Sequence, residues 1–226
     1  MPFSISSMGK VINIAHRGYT RIHLENTLEA FQAALDLGVD GVEFDVQETA
    51  DGEFVIHHDD DIRGVPVGEL KLSQVRRLRL KDNYRTPTLQ ETLQLLGGKV
   101  ILLVELKRVR SVEKLIGMLQ ASSDMGKTAI VSFSRALIER VGELAPDIMR
   151  AVIGGQSGDS GRRAPARFVS FSCAEVSAMA VEKAHSERSM VFVWDCPDEA
   201  GVRRSLGFNI DGIISDYPDT VKAMNG

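Results

Sequence analysis

The chain has 226 residues, of which 43% are apolar and 26% are charged, a composition typical of a folded globular protein rather than a disordered one. Its formal net charge of −4 provides no general attraction to nucleic acid or to an anionic membrane. The longest apolar runs are too short to cross a bilayer, and the first residues lack the pattern of a secretion signal. Together with the net charge, these features predict a cytoplasmic protein with no nucleic-acid partner and no stable membrane insertion.

Short apolar runs then alternate with amphipathic segments, which predicts β/α units around a parallel sheet. Val11 to Ala15 is the first predicted strand, and Asn26 with Glu29 three residues later is a capping pattern for the next helix. The second predicted strand is Gly41 to Val46. A turn after it indicates that Glu53 to His57 returns as an added strand.

The rest of the chain continues this alternation after a polar stretch from Asp60 to Thr86, in which a helix is predicted around Leu72 to Leu80. Further predicted strands are Val100 to Leu106, Thr128 to Ser132, Ile148 to Ile153, Phe168 to Phe171, Met190 to Trp194 and Gly212 to Ile214. Further predicted helices are Pro87 to Leu96, Val112 to Leu119, Arg135 to Leu144, Ala174 to His185, Glu199 to Leu206 and Thr220 to Met224, and Gly154 to Pro165 is predicted as a loop. The strands followed by crossovers number about eight, which closes a barrel. We therefore predict an α/β fold, a TIM-type (β/α)8 barrel with a small insertion after the second strand, with residues 1–226 as one domain.

Carboxylates cluster where such a barrel places its chemistry, at the carboxyl ends of the strands. Glu43 and Asp45 share one face of the second strand because side chains alternate, and Glu105 lies in the next barrel strand. Like charges on one face repel and lose hydration, so a bound cation would stabilise them. Without cysteines the set favours Mg²⁺ or Ca²⁺, with Mn²⁺ as a further candidate, over Zn²⁺. The alternatives are a solvent-facing strand with scattered acids and, for Glu105, an ion pair with Lys107.

Two histidines, His16 and His58, lie at strand ends that can face one another. Each alone is more often structural than catalytic. Together with a cation and Arg17, they match the needs of phosphodiester cleavage: phosphate oxygens are held, one histidine removes a proton from the attacking hydroxyl, and the other protonates the leaving alkoxide. Strand alternation points His57 the other way, so His58 is the favoured residue of that pair.

With these residues in place, the sequence resembles the glycerophosphodiester phosphodiesterase family over nearly its whole length. The motifs that carry the resemblance are Ala15-His16-Arg17-Gly18, Glu25-Asn26-Thr27, Gly38 to Val46, Thr49-x-Asp51-Gly52, His58-Asp59, Pro87-Thr88-Leu89-x-Glu91, Glu105-Leu106-Lys107, Ser132-Phe133, Trp194 and Asp211 to Pro218. The resemblance implies a TIM-type barrel that uses a divalent cation to hydrolyse glycerophosphodiesters to glycerol 3-phosphate and an alcohol. The partner is then a small-molecule diester, and assembly as a homo-oligomer stays open.

The resemblance also implies a role for each matching residue. His16 and His58 are the catalytic pair, and the metal ligands are Glu43, Asp45 and Glu105. Arg17 and Lys107 contact phosphate, and Trp194 lines the pocket. Two other residues of the pattern are interpreted as supports: Glu25 as an orienting or helix-entry residue and Asp216 as a loop-shaping residue.

Two other functions compete with this interpretation. Similar barrels cut lipid phosphodiesters, so a lysophospholipase-D-like or sphingomyelinase-D-like activity is one alternative. Such enzymes need an apolar landing surface, however, and only 6% of the residues are aromatic. The second is a phosphodiester-binding barrel without catalysis, because fold alone does not determine function. Two histidines beside three carboxylates argue against it, since binding needs no acid–base pair. The short stretch after His58-Asp59, without the family's usual insertion, predicts an open mouth that admits varied alcohols.

Overall fold

The structure is a computed structural model that describes residues 10–153, 167–196 and 198–225. The strands are β1 Ile12–Ala15, β2 Gly41–Glu48, β3 Phe54–Ile56, β4 Asp61–Ile62, β5 Val65–Pro66, β6 Ile101–Arg108, β7 Thr128–Ser132, β8 Met149–Val152, β9 Arg167–Ser172, β10 Ser189–Cys196 and β11 Gly212–Ser215. The helices are α1 Leu28–Leu37, α2 Leu72–Val75, α3 Leu89–Leu96, α4 Val112–Ser122, α5 Arg135–Leu144, α6 Ala178–Ser186, α7 Glu199–Leu206 and α8 Pro218–Met224. Short 3₁₀ turns are formed by Val67–Glu69, Lys81–Asn83 and Met125–Lys127.

The eight longer parallel strands form a nearly closed barrel, which confirms the predicted fold class. Hydrogen bonding joins them in the order β8, β7, β6, β2, β1, β11, β10, β9, and the two ends of this path lie side by side. The first and last strands of the barrel, β1 and β11, pair in register from Ile12 with Gly212 to Ala15 with Ser215. Next to this pairing, the Asn225 side-chain amide donates to the Val11 carbonyl at 2.7 Å.

Side chains alternate along β2, so its apolar residues point to one face of the sheet and its carboxylates to the other. Val42, Phe44 and Val46 face outward and belong to the apolar layer between the sheet and the helices. The intervening Glu43 and Asp45 point into the barrel and are buried. Below them a separate cluster of apolar side chains, including Leu103 from β6, fills the barrel interior. The carboxylates therefore lie on top of a dry, packed barrel core, at the carboxyl ends of the strands.

The predicted insertion after β2 is a small unit with its own apolar core. The added strand β3 pairs antiparallel with β2, as predicted, and β4 with β5 forms a short ribbon beside it. Ile62, Val67, Leu70 and Val75 pack together against Val55 of β3. The helix predicted around Leu72 to Leu80 is wrong in length, because α2 ends at Val75. Leu78 and Leu80 pack against the insertion core instead.

Two other helix starts differ from the sequence prediction. Thr27, and not Asn26, caps α1, with its hydroxyl accepting a hydrogen bond from the amide of Ala30. Helix α6 begins at Ala178, four residues later than predicted, because Ser177 provides the cap. The loop predicted at Gly154 to Pro165 lies outside the described residues. No helix in the described parts of the chain is long and apolar enough to span a membrane.

Glu48 at the end of β2 ties this strand to the start of α4. Its carboxylate accepts hydrogen bonds from the Arg110 amide at 2.6 Å, the Ser111 amide at 2.8 Å and the Ser111 hydroxyl at 2.9 Å. Burial opposes the charged form, but these hydrogen bonds outweigh it and lower the pKa of Glu48 below its ordinary value. The tie holds β6, which carries Glu105, in place beside β2.

Replacing Glu48 by Gln is expected to destabilise the protein by about 1–3 kcal/mol at neutral pH, because the buried side chain loses an acceptor oxygen and the charge that strengthens these hydrogen bonds. Since the folded pKa lies below the unfolded one, this stabilisation is complete above the unfolded pKa and is lost as pH falls through the folded pKa. Urea unfolding should therefore show a large difference between the two proteins at neutral pH, and this difference should shrink as the pH falls below the ordinary pKa of a glutamate. Glu182→Gln, at an exposed position of α6, is the control. Equal stabilities at neutral pH would contradict the prediction.

Candidate active site

Three carboxylates from neighbouring strands meet at the carboxyl end of the barrel. Glu43 and Asp45 of β2 and Glu105 of β6 each place one oxygen within 4.8 Å of the others. The register of β2 and β6 explains why these carboxylates are close, because Asp45 pairs directly with Glu105 across the two strands. All three residues are buried. The predicted cluster is therefore formed, and the alternative of scattered, solvent-facing acids does not describe it.

Burial and repulsion from Asp45 destabilise the charged forms of Glu43 and Glu105. Burial, reinforced by the charge of Asp45, raises the pKa of Glu43 to about 8. Burial is also the main cause that raises the pKa of Glu105, against the effect of the Lys107 ammonium beside it. A group of acids with this property is stabilised by positive charge placed between them.

Lys107 and Arg17 supply part of that positive charge. The Lys107 ammonium lies 2.6 Å from Glu105 Oε1 and 3.2 Å from Asp45 Oδ1. Arg17 Nε lies 3.2 Å from Asp45 Oδ2, while its Nη1 donates to both oxygens of Glu25 at 3.0 Å. The ion pair between Glu105 and Lys107 considered as an alternative is thus present together with the carboxylate cluster, not instead of it.

The loop after β1 is folded tightly around β2. Arg17 adopts a left-handed conformation, with φ 54°, and its amide donates to Glu43 Oε2 at 3.0 Å. Gly18 follows with φ 92° at a point where a Cβ atom would lie 2.8 Å from Ala30 of α1, so only glycine fits without a shift. Asn26 also has a positive φ, 55°, and its side-chain amide donates to Asp45 Oδ2 at 2.7 Å. Asn26 therefore orients Asp45 and has no capping role.

Each of the two candidate histidines is held by a neighbouring carboxylate. His16 Nδ1 lies 2.9 Å from Asp216 Oδ1, and His58 Nδ1 lies 2.9 Å from Asp59 Oδ1. An ionised carboxylate only accepts, so Nδ1 donates in both pairs and the Nε2 atoms are left for chemistry. Burial disfavours the charged form of His16, but the Asp216 hydrogen bond and the Glu43 charge outweigh it and raise the His16 pKa.

A cavity of about 180 Å³ lies at the mouth of the barrel. One wall carries the polar residues His16, Arg17, Glu43, His58, Glu105 and Lys107. The opposite wall is apolar and includes Trp194 and Phe133, whose rings pack edge to face with centroids 6.4 Å apart. A ligand with a charged part and an apolar part would match the two walls.

A model of the Glycerophosphoryl diester phosphodiesterase family matches residues 16–220 of the chain. The chain belongs to this family. It is therefore a phosphoric diester hydrolase. A relative named glycerophosphodiester phosphodiesterase, from Caldanaerobacter subterraneus subsp. tengcongensis, is 28% identical over 234 residues, which cover 94% of this chain and 96% of the relative.

Solved structures of the family share the fold. The glycerophosphodiester phosphodiesterase of Agrobacterium tumefaciens superposes with a TM-score of 0.83 at 25% identity, covering 96% of this chain and all of that one (100%). A phosphodiesterase of Oleispira antarctica, solved in complex with the product sn-glycerol-3-phosphate, superposes with a TM-score of 0.82 at 22% identity and 95% coverage of both chains. Both comparisons agree with the barrel described above.

The carboxylate cluster fits a divalent cation on the evidence of its own atoms. Glu43 Oε1 is buried and accepts no hydrogen bond among the described residues, so it has a free coordination position. Three carboxylates are hard oxygen ligands of the kind that Mg²⁺, Ca²⁺ and Mn²⁺ prefer. Glu43, Asp45 and Glu105 would hold the ion, and Lys107 and Arg17 border the same position.

Sequence reasoning missed two supporting residues of this phosphodiesterase site. Asn26 was interpreted as a helix cap and Asp216 as a loop-shaping residue, but their side chains contact Asp45 and His16. Both belong to the quoted family motifs, which is the only signal that the sequence offers for them. Glu25, interpreted as an orienting residue, does hold Arg17.

Replacing Asp216 by Ala is expected to lower kcat by about 10- to 100-fold with little change in KM, because His16 loses the acceptor that fixes its ring and tautomer. Asp216 also accepts from the Thr20 hydroxyl at 3.3 Å, so it is itself held in place. Asp216→Asn retains an acceptor oxygen and should recover part of the loss. Steady-state kinetics of the three proteins check this, and an equal loss in Asn and Ala variants accompanied by a raised KM would contradict it.

Proposed function

We propose that this enzyme hydrolyses glycerophosphodiesters to glycerol 3-phosphate and an alcohol, using a divalent cation held by Glu43, Asp45 and Glu105. The observation that carries the proposal is a cluster of three carboxylates, two of which, Glu43 and Glu105, line one cavity together with His16 and His58. A binding barrel would need the cation and Arg17 but no acid–base pair. Family membership and the product in the Oleispira antarctica structure support the substrate class. We also propose that residues 1–226 form one domain; a cytoplasmic location stays a prediction.

In the proposed mechanism the substrate supplies its own nucleophile. A bound cation would supply positive charge that stabilises the phosphate oxygens and the charge developing on them. Arg17 and Lys107 add charge on the same side and orient the phosphate. His16 Nε2 takes the proton from the glycerol hydroxyl next to the phosphate, and this oxygen attacks phosphorus. His58 Nε2 gives its proton to the departing alcohol, since an unprotonated alkoxide leaves slowly. Water then opens the cyclic phosphate to glycerol 3-phosphate, with the histidines in reversed roles.

No covalent enzyme intermediate is required by this arrangement. The cavity lining contains no cysteine among the described residues. The one serine in this described lining, Ser170, lies in β9 on the apolar side of the cavity. The adjacent hydroxyl of the glycerol part makes an enzyme nucleophile unnecessary. A diester that lacks this hydroxyl should therefore react far more slowly, and trapping of a phosphorylated enzyme would count against the mechanism.

The apolar wall favours a lysophospholipase-D-like activity as the second candidate function. The Phe133 side chain is 58% exposed at the cavity mouth and packs beside Trp194, an arrangement that an acyl chain can cover. A lysophosphatidyl diester assayed beside glycerophosphocholine separates the candidates. Preference for the lysolipid in kcat/KM would favour the second.

Release of glycerol 3-phosphate from glycerophosphocholine is the test. Protein treated with a chelator is assayed alone and after addition of Mg²⁺, Ca²⁺ or Mn²⁺. His16→Ala is the inactive variant, and His185→Ala is its matched control because His185 pairs with Asp211 near the opposite, amino-terminal ends of the strands. We expect cation-dependent release by the native protein and the control and none by His16→Ala. No release with any of the cations would overturn the proposal.

A further inference from the structure

A second cavity opens beside the active site, and Arg17 and His58 line both. We call it the outer groove: it lies between the loop after β1, which contributes Thr20 and His23, and the insertion after β2, which contributes Lys81. Its volume is about 580 Å³, which lies in the range of small-molecule sites. A contact of 3.0 Å between His23 Nδ1 and the Tyr84 hydroxyl joins the two walls, so the groove is formed without a ligand.

The position of the outer groove indicates which part of a substrate it would hold. Glu43 and Glu105 line the active-site cavity and do not line the outer groove. On the proposed function, the glycerol part lies at these carboxylates, and the phosphate lies between Arg17 and His58. The alcohol on the far side of the phosphorus atom, next to the histidine that protonates it, then extends into the outer groove.

The charges in the outer groove are unequally compensated. The carboxylate of Glu25 pairs with Arg17, and the carboxylate of Asp59 pairs with His58. The Lys81 ammonium, by contrast, has no ion pair or hydrogen bond to any described residue. A cationic alcohol would have to compete for carboxylates that are already paired, whereas an anionic or hydroxyl-rich alcohol finds three free N–H donors.

We propose that the outer groove binds the leaving alcohol and that Lys81 selects alcohols that carry a negative charge on a hydroxyl-rich body. The inference rests on the proposed function and deepens it. It is compatible with the open mouth predicted from the short insertion, because one exposed ion pair alters preference by a modest factor and does not exclude other alcohols.

The test compares two diesters that differ in the charge of the alcohol, glycerophosphoinositol 4-phosphate and glycerophosphocholine, with cation-loaded enzyme. We expect kcat/KM to favour the anionic alcohol in the native protein. Lys81→Met should reduce that preference by about 5-fold, through KM of the anionic substrate, and Lys81→Glu should reduce it further. Lys99→Met is the matched control, since Lys99 is exposed at the opposite end of the barrel, just before β6. Added salt should weaken the preference of the native protein and leave that of Lys81→Met nearly unchanged.

The outcomes separate this inference from the function on which it rests. Full activity with the same preference in native, Lys81→Met and Lys81→Glu proteins would overturn the inference alone. A native preference for glycerophosphocholine would also overturn it. Failure of the native protein to release glycerol 3-phosphate from either diester would overturn the proposed function and the inference with it.

Discussion

Replacing His58 by Ala is expected to lower kcat by about 10²- to 10⁴-fold for diesters with an alkyl alcohol, and by a much smaller factor when the leaving group is nitrophenol. The physical reason is the stability of the departing anion. An alkoxide needs a proton as the bond to phosphorus breaks, whereas a nitrophenolate leaves without one. His58 is suited to deliver that proton because Asp59, 2.9 Å from Nδ1, fixes the orientation of the ring and leaves Nε2 to donate.

His16→Ala should behave differently from His58→Ala in the same experiment. If His16 removes the proton from the attacking hydroxyl, its loss slows both substrates, since both need the nucleophile. His185→Ala should match the native enzyme with either leaving group. Single-turnover rates with glycerophosphocholine and the glycerol nitrophenyl phosphate diester measure the effect. Equal losses of His58→Ala on the two substrates would show that His58 is not the acid.

The barrel could be predicted from the sequence because its signals are local. Alternation of apolar residues along β2, and the apolar stripes of the helices, are read from neighbouring positions and are decided by burial. Element ends were less predictable. Helix α2 stops at Val75 because Leu78 and Leu80 pack on the insertion core, a tertiary contact that overrides the local pattern.

The carboxylate cluster could be predicted because strand periodicity defines it. Glu43 and Asp45 share a face by alternation, and Glu105 joins them because parallel strands end together. Asn26 and Asp216 could not be placed in this way. Asn26 satisfies the local rule for a helix cap, and only its positive φ turns it toward Asp45. Asp216 meets His16 because β11 pairs with β1, a closure between residues 200 positions apart in the chain.

The second large effect is expected for Asp45, the fully buried carboxylate at the centre of the cluster. Asp45→Asn should weaken binding of the divalent cation by at least about 100-fold and reduce activity at millimolar cation to a few per cent or less. The change removes one of three negative charges while the cations of Arg17 and Lys107, each 3.2 Å away, stay in place. Two carboxylates instead of three then offset the repulsion between these side chains and the divalent cation.

Loss of folding is not expected to explain this result. Asparagine has the shape of aspartate, and its side-chain oxygen can still accept the 2.7 Å hydrogen bond from Asn26. The repulsion between Asp45 and Glu43, which helps to raise the pKa of Glu43, also disappears. Thermal unfolding separates the effects, because a ligand that binds the folded state raises Tm by an amount that grows with the logarithm of its concentration relative to Kd. The native protein and Asp36→Asn, an exposed acid on α1, should show a cation-dependent rise in Tm, and Asp45→Asn should not. A native-like rise in Asp45→Asn would remove Asp45 from the metal site, since a ligand of this charge cannot be neutralised without loss of affinity.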